Sequence, residues 1–179
     1  MLNERQAIFP SVNDMTRDKE QFLNILESNK LIIFKVCNMY CKDSEDQKDL
    51  VQEVIIQLWK SFPKYDEQYK LSTWIYRIAL NVSISSLRKS STRAKHSAPF
   101  QEDFLEIAED NPFSVDENIR LLRKFIDELD DLNKALMILY LDGKSYEEIA
   151  EILNITKSNV GIKISRTKKS WKKQFEKIK

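Results

Sequence analysis

Ser145-Tyr-Glu-Glu-Ile-Ala-Glu-Ile-Leu-Asn-Ile-Thr156-Lys-Ser-Asn-Val-Gly-Ile-Lys-Ile164 reads as two short helices joined by a tight turn. Ser145 is placed to cap the first helix, and Glu148, at its third position, to reach back to the Ser145 backbone N–H; this is a capping box. Ile149, Ala150 and Leu153 make the inner face, with Ala150 small enough for a close crossing. Asn154 follows where the chain needs a left-handed turn, a conformation that Asn tolerates almost as well as Gly. Thr156 then caps a second helix, in which Val160, Ile164, Thr167 and Trp171 recur at i, i+4, i+7 and i+11. Such a pair, with the second helix rich in Lys and Arg, predicts a helix-turn-helix that reads duplex DNA.

The outer face of the second helix offers Lys157, Ser158, Asn159, Gly161, Ile162 and Ser165 near its start, and Arg166, Lys168, Lys169, Lys172 and Lys173 beyond. In this motif the early residues enter the major groove and the later ones meet phosphates. Asn159 is suited to adenine and Ile162 to a thymine methyl. The blander alternative is a solvated basic helix.

The charge distribution favours nucleic acid. The net charge of +1 conceals nine Lys or Arg against one acid over residues 154–179, and eleven acids against three Lys or Arg over residues 100–131. Such a split marks the basic end as the DNA-facing one. It would also let the acidic stretch fold back and shield the basic helix.

Few Gly (2) and Pro (4) argue for an all-α chain rather than a β-sandwich or barrel. Cys37, Cys41 and His96 are too few for a zinc site of four protein ligands, and the two thiols, one helical turn apart in an apolar pattern, read as buried free cysteines. No Gly-rich phosphate loop, metal-ligand set or nucleophile–base pairing emerges, so neither enzyme activity, cofactor nor metal is expected. The sequence has no apolar run long enough to span a membrane and no apolar stretch of the signal-peptide kind, which predicts a cytoplasmic protein.

Ahead of the helix-turn-helix, a helical block is expected over residues 18–92, after a lead-in at 1–17. Phe22, Leu26, Leu31, Phe34 and Cys37 open it. Val51, Ile55, Leu58 and Phe62 form a second amphipathic helix closed by Pro63. A polar turn at residues 64–70 leads to a third, with Leu71, Ile75, Ile78 and Val82 inward. Periodicity then fades around Pro99 and Pro112, predicting a flexible acidic linker over 93–117 with a short helical turn at 104–108. The second domain, 118–179, begins with a helix carrying Leu132, Leu136 and Leu139 that ends at Asp142-Gly143, followed by the helix-turn-helix. The fold class is two small helical domains, the second winged-helix-like without a wing.

Two faces of the first block stand out. Asp46, Asp49, Glu53 and Gln57 form an acidic stripe, which alone reads as solvated surface. Trp74, Arg77, Asn81, Ser85 and Arg88 form a ridge on the third helix. A Trp is usually core, yet an aromatic beside cations and amides is what an unstacked DNA strand requires.

Asp49-Leu-Val-Gln-Glu53 and Leu71-Ser-Thr-Trp-Ile-Tyr-Arg-Ile-Ala-Leu-Asn81, followed by Ser145-Tyr-Glu-Glu-Ile-Ala150, resemble the extracytoplasmic-function class of bacterial RNA polymerase sigma factors over nearly the whole chain. The resemblance implies a sigma factor that binds core RNA polymerase and directs initiation at −10 and −35 elements while the polymerase supplies all catalysis. It assigns Asp46, Asp49, Leu50, Gln52 and Glu53 to the clamp helices of the largest polymerase subunit, with the flap region as a further contact. Tyr69, Lys70, Ser72, Trp74, Arg77, Asn81 and Arg88 fall to the −10 element, and the loop from Lys64 to Ser72 to a flipped-out base. Lys157, Ser158, Asn159, Ile162, Ser165, Arg166 and Lys169 fall to the −35 element. The linker would thread near the RNA exit path, and an anti-sigma factor is an implied partner. One departure is Gly161, which stands where many relatives carry Arg and leaves −35 reading to its neighbours. Two rival readings are a stand-alone helix-turn-helix repressor, which would need neither the acidic stripe nor the Trp74 helix, and a purely protein-binding helical regulator.

Overall fold

A computed structural model describes residues 12–41, 43–96 and 117–178. Residues 1–11 of the expected lead-in (1–17), the expected helical turn at 104–108 and residues 97–116 of the acidic linker expected to shield the basic helix lie outside them. Among the described residues there are seven α-helices, one short 3-10 turn and no strand.

The first block comprises α1 (Val12–Tyr40), α2 (Ser44–Ser61) and α3 (Leu71–His96). Asp43 caps α2 by accepting from the backbone N–H groups of Glu45 and Asp46 at 2.9 and 3.0 Å, and the acids Glu45 and Asp46 suit the positive end of the helix dipole. Pro63 cannot continue the α-helical ladder, and the chain leaves through a 3-10 turn at Phe62–Lys64. α1 begins inside the segment expected as lead-in, and α3 continues into the segment expected as linker.

The buried stripes differ in phase from the sequence expectation. On α1 the core takes Phe22, Ile33, Val36, Cys37 and Tyr40, whereas Leu31 and Phe34 are 75% and 48% exposed. A 3.6-residue period from Phe22 passes through Ile33 and Val36; α1 simply carries more apolar residues than its inner face can take. On α2 the core residues are Leu50, Val54 and Leu58, with Val51 and Ile55 at the margin. On α3, Ile75 is fully buried together with Tyr76 and Ala79, while Leu71, Ile78 and Val82 are half-buried. That wide buried face follows from α3 packing against α1, α2 and α6 alike.

The second block comprises α4 (Glu117–Asp127), α5 (Asp131–Leu141), α6 (Tyr146–Leu153) and α7 (Lys157–Ile178). α4 is absent from the sequence reading; it buries Phe125 and Ile126, and Phe125 meets Trp171 and Phe175 of α7 at ring-centroid distances of 6.1 and 4.9 Å. α5 ends in a Schellman closure: Lys144 N–H donates to Leu139 C=O and Gly143 N–H to Tyr140 C=O, both at 3.1 Å. This requires a left-handed residue, met by Gly143 at φ +74°.

Residues 134–139 of α5 are all buried. A helix buried all round must be covered on more than one side. α6 and α7 pack on it within its own block, and Tyr40 of α1 reaches it from the other: the Tyr40 hydroxyl donates to Asp131 C=O at 3.2 Å and Lys134 Nζ lies 5.4 Å from the Tyr40 ring centroid. Lys134, only 8% exposed, is neutralised by Asp127 at 2.8 Å. The two blocks thus share one hydrophobic cluster.

Candidate nucleic-acid interface

The helix-turn-helix is built as its local sequence requires. Ser145 Oγ accepts from Glu148 N–H at 3.2 Å and Glu148 Oε2 accepts from Ser145 N–H at 2.9 Å. Asn154 takes φ 52°, ψ 48°, the left-handed turn between the helices. Thr156 Oγ1 accepts from Asn159 N–H at 3.2 Å, opening α7. Val160, Ile164 and Thr167 are buried and Trp171 half-buried, fixing which face of α7 looks outward. In α6 the fully packed residues are Ile149 and Ile152, while Ala150 and Leu153 are only half-buried.

On the outward face Lys157, Ser158, Ile162, Ser165, Arg166, Lys169, Lys172 and Lys173 are exposed, and Asn159 is half-buried. Lys157 is already ion-paired with Glu147 of α6. Lys168 turns toward the block: its Nζ donates to the Tyr140 hydroxyl at 3.0 Å. Gly161 is not on the outer face alone, since a Cβ there would sit 3.6 Å from the Tyr146 ring.

The first block presents a different surface. Asp46, Asp49, Gln52 and Glu53 lie along the outer side of α2, and Glu53 accepts from Gln57 at 2.7 Å. Leu50, predicted with them, is buried, so it belongs to the core and acts on a partner only by holding α2 in place. Between α2 and α3 runs a groove of about 630 Å³ whose polar lining includes Glu53, Gln57, Asn81, Ser85 and Lys89.

The Trp74–Arg88 ridge is not one open face. Asn81, Ser85 and Arg88 are exposed, Trp74 and Arg77 half-buried, Ser72 half-buried. Trp74 packs in an aromatic row, 6.4 Å from Phe62 and 5.1 Å from Tyr65. The exposed aromatic is Tyr69, with the Arg77 guanidinium 5.8 Å from its ring centroid and its backbone carbonyl held by the Tyr65 hydroxyl at 2.7 Å. Arg77 Nη2 donates to Glu151 C=O of α6 at 2.7 Å, while its Nε is buried without a hydrogen-bond partner. Lys70 donates to Glu148 Oε1 at 2.9 Å and Arg88 Nε to Asp131 Oδ2 at 3.0 Å. The Lys70 ammonium is stabilised by this bond and its pKa is raised; Glu148, accepting first from the Ser145 backbone and then from Lys70, is held down to about 2.

These contacts link residues 43 to 78 positions apart and have no counterpart in the sequence reading. Nor has Tyr76, fully buried, whose hydroxyl meets Asp142; Asp142 also pairs with Lys35. A cleft of about 610 Å³ remains between the blocks, lined by Tyr69, Arg77 and Asn81 on one side and Leu132, Ile152 and Asn154 on the other.

Comparison with known proteins matches residues 25–93 to the family described as Sigma-70 region 2 and residues 119–170 to Sigma-70, region 4. The ECF RNA polymerase sigma-E factor of Escherichia coli strain K12 is 30% identical over 138 residues, covering 71% of this chain and 72% of the relative. The chain is an ECF sigma factor. The ECF RNA polymerase sigma factor SigW of Bacillus subtilis is 25% identical over 88% of this sigma factor and 90% of its own length. In fold, this sigma factor is similar to RpoE of Bartonella quintana, solved with the anti-sigma factor NepR (TM-score 0.65, 19% identity, 88% of this chain and 96% of that one). It is also similar to CnrH, solved with the cytosolic domain of CnrY (TM-score 0.64, 15% identity, 88% and 89%). No described helix is long and apolar enough to cross a membrane. As an ECF sigma factor, the chain is a specificity subunit of RNA polymerase that directs promoter-specific initiation.

Proposed function

We propose that this sigma factor divides promoter selection among three surfaces of its own. The acids Asp46, Asp49 and Glu53, with Gln52, dock α2 on the clamp helices of the largest polymerase subunit. Tyr69, Lys70, Arg77, Asn81 and Arg88 then hold the unstacked −10 strand: Tyr69 offers the π-face, the cations meet phosphates and Asn81 meets a base edge. Ser72 and Trp74 support that face from half-buried positions. Ser158, Asn159, Ile162 and Ser165 read the −35 duplex, while Lys157, Arg166 and Lys169 anchor it through phosphates, α7 lying in the major groove. The observation carrying this reading is the coexistence, on one chain, of an exposed acidic helix and an exposed basic recognition helix on opposite blocks.

In this reading the linker over 93–117 connects a region 2 domain at 18–92 to a region 4 domain at 118–179. Polymerase performs the chemistry, the sigma factor contributes none of its own, and it works in the cytoplasm. An anti-sigma partner is in keeping with RpoE of Bartonella quintana having been solved with one. Run-off transcription from genomic fragments with core polymerase tests the reading. Added sigma factor should yield discrete start sites that vanish with Asp49→Lys/Glu53→Lys; unchanged start sites with that variant would contradict the docking assignment.

A further inference from the structure

The first two turns of α7, which enter the major groove, present an uncharged surface. Both lysines there are held by protein partners: Lys157 is paired with Glu147, and Lys163 donates to Asn133 Oδ1 at 3.4 Å. What faces outward is small or apolar, namely Ser158, Ser165 and Ile162, the last 51% exposed. Counted from the buried Val160, Gly161 lies about 100° and Ile162 about 200° round the helix. Gly161 adds no side chain, and the edge of the Tyr146 ring lies along it: a Cβ there would stand 3.6 Å from Tyr146 Cε2 and 3.8 Å from Cδ2. Tyr146, the first residue of α6, is backed by Tyr140 at a ring-centroid distance of 6.4 Å, and Lys168 donates to the Tyr140 hydroxyl at 3.0 Å. Beside the groove-facing surface the chain thus has a shallow apolar notch, with the Gly161 backbone as its floor and Ile162 and the Tyr146 ring as its walls.

We infer that this notch seats the 5-methyl group of a thymine in the −35 duplex, so that the sigma factor selects thymine over guanine at that position. Guanine shows the major groove two acceptors, which call for Arg or Lys, whereas the thymine methyl is an apolar group displayed at the groove floor. With Lys157 and Lys163 turned onto Glu147 and Asn133, the surface matches the methyl and would leave the guanine acceptors unpaired, which costs binding. Tyr146 thereby acquires a part in base selection although it stands on the helix that does not enter the groove. Arg166 and Lys169 keep their phosphates, so affinity and selectivity come from different turns of α7.

This inference rests on the assignment of α7 to the −35 element, and the test separates the two. Each thymine on either strand of a −35 element located by start-site mapping is replaced singly by deoxyuridine, which lacks only the methyl, and binding by holoenzyme is titrated. At one thymine the replacement should weaken binding about fourfold, the worth of one buried methyl. The readout is a ratio of two affinities for the same protein, so a variant's active fraction cancels. Ile162→Ala and Tyr146→Ala should each bring that ratio to about one, while Tyr146→Phe, which keeps the ring, should hold it at about four. Gly161→Arg should turn the preference at that position toward guanine. A −35 element without thymine, or one with no deoxyuridine penalty, overturns the inference. So does a penalty that survives both Ile162→Ala and Tyr146→Ala, or one that Tyr146→Phe removes. Scrambling the whole −35 element reports on the α7 assignment alone: lost binding leaves that assignment standing even if methyl reading fails, and unaffected binding removes both.

Discussion

Lys70 and Glu148, 78 positions apart, meet at 2.9 Å through the carboxylate whose other oxygen closes the N-terminus of α6. A local helix cap and a contact between blocks therefore share one side chain. The loop ahead of α3 and the first helix of the helix-turn-helix are held in register because Glu148 serves both.

That shared role has a pH signature. Glu148 is held down to about 2 from an ordinary 4.5, chiefly by the Ser145 backbone N–H and then by Lys70. A carboxylate depressed in the folded state adds stability above its unfolded pKa, and that contribution is lost as pH falls through the folded value. Glu148→Gln should lower the melting temperature at neutral pH. The gap between variant and wild type should shrink between pH 4.5 and 2, as followed by circular dichroism; a gap independent of pH would show that the charge is not what matters.

Gly161 offers a stabilising substitution. It lies inside α7, where Gly costs about 1 kcal/mol relative to Ala, and a Cβ would make an ordinary 3.6 Å contact with the Tyr146 ring. Gly161→Ala should raise unfolding stability by about that amount in urea titration, with DNA recognition by holoenzyme retained.

Leu50 and its neighbours Asp49 and Glu53 should fail differently. Leu50 is buried and truncating it to Ala should cost about 2–5 kcal/mol in denaturant titration. Asp49→Lys and Glu53→Lys change exposed positions; each should leave the melting temperature within a few degrees of wild type while abolishing co-elution with core polymerase.

Arg166 and Lys169 are exposed on α7 beyond the groove-entering turn. Replacing either by Ala in holoenzyme should weaken promoter binding and flatten the slope of log affinity against log salt by about one for each phosphate left without its cation. Gel-shift titrations over a salt series measure it.

How much could be read from the sequence tracks the range of the interactions. The helix-turn-helix is legible down to the Ser145–Glu148 box, the Asn154 turn and the Thr156 cap, because each is set by residues within a few positions of one another. The first block is legible as helices but not in phase. α1 carries apolar residues beyond its inner stripe, so Leu31 and Phe34 mimic core positions. α4 escapes the sequence reading although Ile119, Leu122 and Ile126 lie at helical spacing, since it follows directly on the acidic run in which periodicity fades. Trp74 is ambiguous for another reason: an aromatic on a DNA-facing helix has the same letter whether it awaits a base or packs on Phe62 and Tyr65. The contacts between the blocks have no local trace at all.

The central claim is that promoter recognition is split between surfaces that act together only on polymerase, and equilibrium binding of the full chain to a promoter fragment, with and without core polymerase, tests it most directly. Tethering raises the effective concentration of the second module once the first is placed. The sigma factor alone should bind the fragment weakly and the holoenzyme tightly; nanomolar binding by the isolated chain, with no gain from core polymerase, would contradict the account.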